Sequence, residues 1–291
     1  MIAVVAGGIR GGLAAQLAVV ETQYAAQLRP DIGYRSRVVS IVAALLAALV
    51  ASLWYVGLTP GVLYNGLGQF GFIIGLMLPP QPGSWANAVF YIEALLQTVA
   101  IAFAGTLVAA VLALPFAFLA SRNVVAVWVV RMAARRMFDT VRGIDTLIWA
   151  LIWINVVGLG PFAGMLAIVT SDFGAYGKLF SEAIETADSR PVAGVAASGG
   201  GHLHRVRYGL LPQLLPAVLS QVLYFFESST RSATVLGIVG AGGIGLPLSE
   251  MIRTLEWQHA SFIILMLLVT VAGIDAVSSR LRRALIGTGK R

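Results

Sequence analysis

The stretch EAIETADSRPVAGVAASGGGHLHRVRYGLLPQLLP, residues 182–216, decides how the fold is interpreted. It is polar and basic, and the segments on either side of it are hydrophobic and long enough to cross a bilayer. Arg190, Arg205 and Arg207 place it on the cytoplasmic side, where basic residues accumulate. A membrane protein that keeps such a stretch in the cytoplasm usually presents it to a soluble partner. We call residues 182–216 the cytoplasmic segment.

The composition is that of a membrane protein. Of the 291 residues, 58% are hydrophobic and only 11% are charged, whereas soluble domains carry about 25% charged residues. The net charge of +7 fits positive-inside loops and anionic lipid headgroups. Nucleic-acid binding is disfavoured because the basic residues lie beside the hydrophobic segments and form no continuous stripe. The chain has no cysteine, which excludes disulfides and thiolate metal sites, and its three histidines form no metal-binding pattern.

The hydrophobic segments predict six membrane spans with both termini in the cytoplasm, because arginines precede the first span and follow the last. The two short spans, 144–157 and 162–180, are expected to lie inside the bundle. The six predicted spans cover residues 38–58, 90–119, 144–157, 162–180, 208–226 and 260–276.

Two further segments are predicted to lie at the membrane surface. Residues 62–78 are apolar but broken by glycines, which favours an interfacial or re-entrant helix. A further span is the alternative there, and it would invert the topology downstream. Residues 121–143 contain five arginines, which predict a basic amphipathic helix at the cytoplasmic surface. The expected organisation is a cytoplasmic lead (1–37), a first span with an external segment (38–86), a core (87–283) and a cytoplasmic tail (284–291).

Glycines divide the cytoplasmic segment. Gly199, Gly200 and Gly201 break any helix, so residues 181–198 and 202–207 are expected to form two short segments joined by a glycine turn. Three acids near the start have two interpretations. They form a solvated face that favours a helix N-terminus, or they belong to a short helix that docks on a soluble partner and moves with it. The glycine bend favours docking. The three acids are Glu182, Glu185 and Asp188.

A second polar cluster follows the fifth predicted span. Glu227 and Arg231 are four residues apart, in the acidic-then-basic order that favours an ion pair on a helix. One interpretation is a salt bridge that anchors the end of the span at the membrane surface. The other is a polar collar on a translocation path, in which Arg231 meets an anionic solute and Glu227 holds it in place.

Enzyme motifs are missing from the sequence. The run GAGGIG (240–245) matches G-x-G-x-x-G, but it lies between predicted spans and is followed by Pro247, so it does not fit a dinucleotide site. It indicates tightly packed backbone lining a cavity. The sequence has no G-x-x-x-x-G-K-[ST], no G-x-S-x-G and no H-E-x-x-H. We therefore expect a chain that is not an enzyme and hydrolyses no ATP alone.

Six stretches match one family of membrane proteins in order along the chain. They are ALPFAFLASRN (113–123), LIWALIW (147–153), VGLGPFAG (157–164), GKLFSEAIE (177–185), LPQLLP (211–216) and ATVLGIVGAGGIG (233–245). Gly199 and Leu211-Pro212 also have the separation found in the cytoplasmic EAA-type loop of binding-protein-dependent permeases. The chain thus resembles the ABC importer permeases of the phosphonate transporter family (the PhnE type). It departs from them at Ala193-Gly194, where the loop usually has Glu-Ala, and at Ser229, where asparagine is common.

The resemblance implies an all-α membrane protein with the type I (MetI-like) importer permease fold. Such a permease forms a two-fold symmetric dimer with two ATPase subunits below and a solute-binding protein above. ATP and Mg²⁺ would be held by the ATPases, so this chain would need no cofactor of its own. The solute would be a phosphonate or a related phosphorus oxyanion, namely phosphate or phosphite.

The resemblance also implies two groups of functional residues. Those expected to couple to the ATPase are Glu182, Glu185, Asp188, Gly199, Gly200, His204, Arg205 and Pro212. Those expected at the translocation path or gate are Arg142, Asn155, Glu227, Ser229, Arg231, Gly240, Gly242 and Gly243.

Two alternatives stay open. One is an ABC permease for another small solute such as methionine. The other is an ion-coupled secondary transporter, which predicts inverted repeats and carboxylates at the membrane midplane. The sequence shows no repeat and few acids within the predicted spans.

Overall fold

The computed structural model describes residues 32–287, and all regular secondary structure in that range is helical. The chain divides into two compact units, one ending at Phe72 and one starting at Ile73. The helices are α1 (Ile32–Tyr55), α2 (Pro60–Leu76), α3 (Trp85–Ala120), α4 (Trp128–Arg142), α5 (Thr146–Val157), α6 (Pro161–Thr186), α7 (Ser189–Ala197), α8 (His202–His204), α9 (Leu211–Ile238), α10 (Gly245–Arg253) and α11 (Trp257–Gly287), with a π-helical stretch (Arg205–Leu210) joining α8 to α9.

The first unit contains two apolar helices. Helix α1 includes most of the predicted span 38–58. Helix α2, which reaches into the second unit, has 17 residues and no buried side chain. At about 1.5 Å per residue it is shorter than the roughly 30 Å hydrocarbon core of a bilayer. The interfacial or re-entrant placement of residues 62–78 stays a prediction.

Several helices are suited to cross a membrane. By length and composition four described helical segments qualify, and the pair α4 and α5, bent by 89°, would make a fifth if it is one broken span. Helix α6 is not among them because polar residues such as Asp172 and Lys178 interrupt its apolar sequence. The four segments are Ser36–Tyr55, Trp85–Ala120, His202–Ile238 and Trp257–Ala284. Every predicted span overlaps a helix in this range.

Helix α6 is the centre of the second unit. It packs against α3, α4, α5 and α9, as expected for the polar span 162–180. Alanines on α3 with no exposed surface, including Ala102, Ala109 and Ala113, let the two helices approach closely. Between α6 and α9, the rings of Tyr176 and Phe180 stack with centroids 4.9 Å apart. In this single chain 144–157 is only partly interior: Ala150 is buried and Trp149 and Trp153 pack against the core, whereas the apolar side chains on the other side of α5 are exposed.

The cytoplasmic segment is organised differently from the prediction. Residues 181–186 continue α6, and residues 202–207 begin a helical run that continues without interruption to Ile238. Of the predicted segment 181–198, only α7 is therefore a separate short helix. At its start the Asp188 carboxylate accepts a hydrogen bond from the backbone N–H of Arg190. Pro212 has no N–H to donate within the long helix, and the preceding backbone widens into the π-helical stretch.

Glu185 links α6 to α4 and to the loop that follows α3. It lies in the last turn of α6, next to the buried Ile184, and its side chain is only 12% exposed. Its carboxylate accepts from the backbone N–H of Arg122 at 2.7 Å and pairs with the guanidinium groups of Arg122 and Arg135. Burial works to raise the pKa of Glu185, but these hydrogen bonds and the two positive charges outweigh it and lower the pKa. The carboxylate therefore stays ionised at neutral pH.

We expect Glu185→Gln to destabilise the protein, since it removes the charge that Arg135 and Arg122 share. The expected loss is about 2 kcal/mol of unfolding free energy, measured as a lower thermal unfolding midpoint in detergent. Glu182→Gln, which changes an exposed carboxylate three residues earlier on the same helix, is the matched control and should leave the midpoint unchanged. Equal midpoints for the two variants would contradict the anchoring role of Glu185.

Candidate functional site

Helix α7 and its glycine turn form an exposed projection of the second unit. No residue of α7 is buried, and it packs on the π-helical stretch through Val192. That contact needs glycine opposite, because a Cβ on Gly209 would lie 2.8 Å from the Val192 Cα. Gly199 ends the helix with φ +83°, a conformation that favours glycine, and open space surrounds it. Most of the surface of α7 is therefore free for a partner.

The residues predicted to couple to a partner fall into two places. Asp188 caps α7, Arg205 Nε donates to the Gly200 carbonyl at 3.2 Å, and His204 stacks on Tyr208. These groups surround α7 and its turn. Glu182 and Glu185 instead lie on the last turns of α6, and Glu185 is engaged in the ion pairs described above. Pro212 lies in the long helix.

Glu227 and Arg231 form the predicted ion pair, with 2.8 Å between Oε1 and Nη1. Helix α9 continues for eleven residues past Glu227, to Ile238, so the pair does not lie at the end of the helix. A second arginine was missed by sequence reasoning. Arg282 of α11 lies 4.0 Å from the other Glu227 oxygen and 3.7 Å from Asp275. Its position near the C-terminus had been explained by the positive-inside rule alone. We call Glu227, Arg231, Asp275 and Arg282 the ion-paired group.

Ser229 belongs to a different contact on the buried side of α9. Its hydroxyl donates to the Asp172 carboxylate at 2.9 Å, and both residues are buried. Thr106 of α3 is buried beside them. This polar contact ties α6 to α9 inside the bundle. Asp172 lies near the middle of α6.

The glycine run after α9 is tightly packed. The backbone N–H groups of Gly243 and Ile244 donate to the Gln97 and Thr98 side chains of α3, both at 2.8 Å. Gly242 has φ +81°, and a Cβ there would lie 2.8 Å from Pro161. Gly242 and Gly243 also line a cavity of about 330 Å³ together with Glu93 and Glu250. This agrees with packed backbone beside a cavity, while a gating role for Gly240, Gly242 and Gly243 stays a prediction.

The remaining predicted path residues lie on α4 and α5. Arg142 ends α4 with an exposed side chain. Asn155 is near the end of α5 and donates to the Leu151 carbonyl at 2.7 Å. Their roles in a path stay predictions. Among residues 32–287, no group of three histidine or acidic side chains is placed to hold a metal ion.

Comparison with known proteins identifies relatives over most of the chain. The family described as binding-protein-dependent transport system inner membrane component matches residues 113–286. The phosphite transport system permease protein PtxC of Stutzerimonas stutzeri is 35% identical over 83% of this chain and 87% of its own length. HtxC of the same organism, provisionally named for a phosphite transport system, is 35% identical over 92% of this chain and 94% of its length. The phosphate-import permease protein PhnE of Mycolicibacterium smegmatis is 32% identical over 82% of this chain and 44% of its length.

Solved structures agree on the fold. The MetNI methionine ABC transporter in an inward-facing conformation matches with a TM-score of 0.61 at 18% identity, over 69% of this chain and 99% of that one. An amino acid ABC transporter matches with a TM-score of 0.57 at 15% identity, over 68% and 94%. The predicted all-α, MetI-like permease fold is confirmed, in a multi-pass protein of the plasma membrane. The chain belongs to the family of binding-protein-dependent transport system inner membrane components.

Proposed function

We propose that this chain is the membrane-spanning subunit of an ATP-driven importer of a phosphorus oxyanion, such as phosphite, phosphate or a phosphonate. The observation that carries the proposal is the half-exposed guanidinium of Arg231, at 52%, inside a long apolar helix. A guanidinium is the side chain best suited to bind a tetrahedral oxyanion through two parallel hydrogen bonds. The names of the relatives supply the same class of solute.

The exposure of Arg231 also argues for a water-filled path. An arginine facing lipid in the middle of a helix is costly, so charged side chains in such positions face a cavity or the interior of a bundle. Arg231 shares one side of α9 with the exposed Tyr224, Val235 and Ile238. We infer that this side lines the path, and that a second copy of the chain closes it from the opposite side.

The rest of the assembly follows from α7. Its exposed surface and glycine turn suit a groove on a cytoplasmic ATPase, which would hold the ATP and Mg²⁺. In this proposal two permease copies carry two ATPases below and a solute-binding protein above, with both termini of each permease in the cytoplasm. Closure of the ATPases would push each α7 and switch the path between outward-facing and inward-facing states.

Uptake by the reconstituted complex tests the function. Proteoliposomes with the permease, its ATPase and its binding protein should accumulate radiolabelled phosphate, and phosphite or methylphosphonate should compete with it. Methionine, the alternative solute, should not compete. Uptake driven by an ion gradient without ATP would overturn the proposal in favour of a secondary transporter, as would purification of the permease without any associated ATPase under gentle conditions.

Gly199→Pro is expected to abolish ATP-driven uptake while the protein still inserts in the membrane. Proline fixes φ near −65°, whereas Gly199 has φ +83°, so the turn after α7 would have to rearrange. Gly199→Asn is the matched control, because asparagine at the same position tolerates the positive φ that proline cannot adopt. The measurements are ATP-dependent uptake, membrane insertion and ATPase co-purification. Normal uptake by Gly199→Pro would remove α7 from the coupling mechanism.

A further inference from the structure

We propose that Glu227 is an internal competitor of the transported anion: it holds Arg231 until the solute displaces it, and Arg282 then receives its carboxylate. This inference rests on the function proposed above. It assigns a positioning role to Arg282, which no family resemblance had indicated. The ion-paired group would then contain one carboxylate that exchanges between two arginines.

The geometry of the ion-paired group supports an exchange. One carboxylate oxygen of Glu227 lies 2.8 Å from Arg231 and the other lies 4.0 Å from Arg282. The first contact is a hydrogen-bonded ion pair, and the second is about one ångström too long for a hydrogen bond. A rotation of the glutamate side chain would close the second contact at the expense of the first. No movement of either helix is required.

The exposure of the two arginines gives the exchange a direction. Arg231 is 52% exposed and can be reached by a solute, whereas Arg282 is 24% exposed and Glu227 is 14% exposed. An oxyanion entering from the path would therefore meet Arg231 first. Glu227 has its second partner on the inner side, away from the arriving anion.

Charge makes the displacement necessary. A carboxylate held against Arg231 neutralises the guanidinium and repels an anion that approaches the same group. If Glu227 moves to Arg282, Arg231 regains its positive charge for the solute and the carboxylate stays paired. Asp275 already lies 3.7 Å from Arg282, but it is 58% exposed, so water screens that contact and Arg282 can accept a second carboxylate.

Neighbouring groups keep the exchange local. On the opposite side of α9, Ser229 is bonded to the buried Asp172, which fixes the height and rotation of the helix. Thr230 bonds back to the carbonyl of Phe226. Both contacts hold the backbone around Glu227 and Arg231 in place, so the glutamate side chain is the part that moves.

Equilibrium binding measures the competition directly. The permease with its ATPase subunits, in nanodiscs, is titrated with radiolabelled inorganic phosphate, with phosphite as competitor. Glu227→Gln keeps the size of the side chain and removes its charge, and it should tighten phosphate binding about five- to tenfold. Asp139→Asn is the matched control: it removes one negative charge from α4, where Asp139 lies 3.8 Å from Arg136 and outside the ion-paired group, and it should change the affinity less than twofold.

A double-mutant cycle tests the role of Arg282. Arg282→Gln should weaken phosphate binding when Glu227 is present, because the displaced carboxylate loses its second partner. The same change in the Glu227→Gln background should have little effect, since no carboxylate needs to be received. Arg231→Gln should abolish binding in either background.

Three results would overturn the inference alone: weaker or unchanged binding by Glu227→Gln, an equal gain from Asp139→Asn, or no loss from Arg282→Gln. If Glu227→Gln fails to assemble, the Arg282→Gln titration still decides. A wild-type complex that neither binds nor transports phosphate, phosphite or methylphosphonate would instead overturn the proposed function, and the inference with it. If the wild-type complex transports these anions but Glu227→Gln binds phosphate only as tightly as the wild type does, the competitor role of Glu227 is excluded. The importer function then stands.

Discussion

The cost of leaving a charge in lipid is the constraint on which this structure depends. Two charged groups in the long helices show two different solutions. Asp172 is buried and bonded to Ser229, whereas Arg231 stays half exposed and holds Glu227. The first solution makes a rigid bundle out of α6 and α9. The second leaves an accessible positive charge, and that difference in exposure separates a structural polar contact from a candidate solute contact.

Local patterns in the sequence predicted much of this architecture. Every predicted span overlaps a helix, and the Glu227 and Arg231 pair follows directly from their spacing of four residues. Glycine runs correctly marked the end of α7 and the packed turn before α10. These features depend on neighbours in the chain, where periodicity and backbone preference are informative.

Contacts between distant segments could not be predicted in the same way. Glu185 looked like a free acid for a partner, but Arg122 and Arg135 come from a separate loop and helix. Arg282 looked like an ordinary cytoplasmic arginine until α11 brought it beside α9. The extent of α9 was also missed, because a polar cluster inside a hydrophobic helix resembles the end of a span in hydropathy alone. The error has a physical reason: pairing lets a helix carry charges that lipid would reject.

The uninterrupted helical run from His202 to Ile238 has a mechanical consequence. This long helix contacts α7 through Gly209, and Arg231 lies on the same helix about 33 Å away at 1.5 Å per residue. A tilt of about ten degrees that pivots at one of these two regions would move the other by roughly 6 Å. A force applied to α7 would thus reach Arg231 as a displacement of the whole helix, without a series of intermediate side-chain contacts.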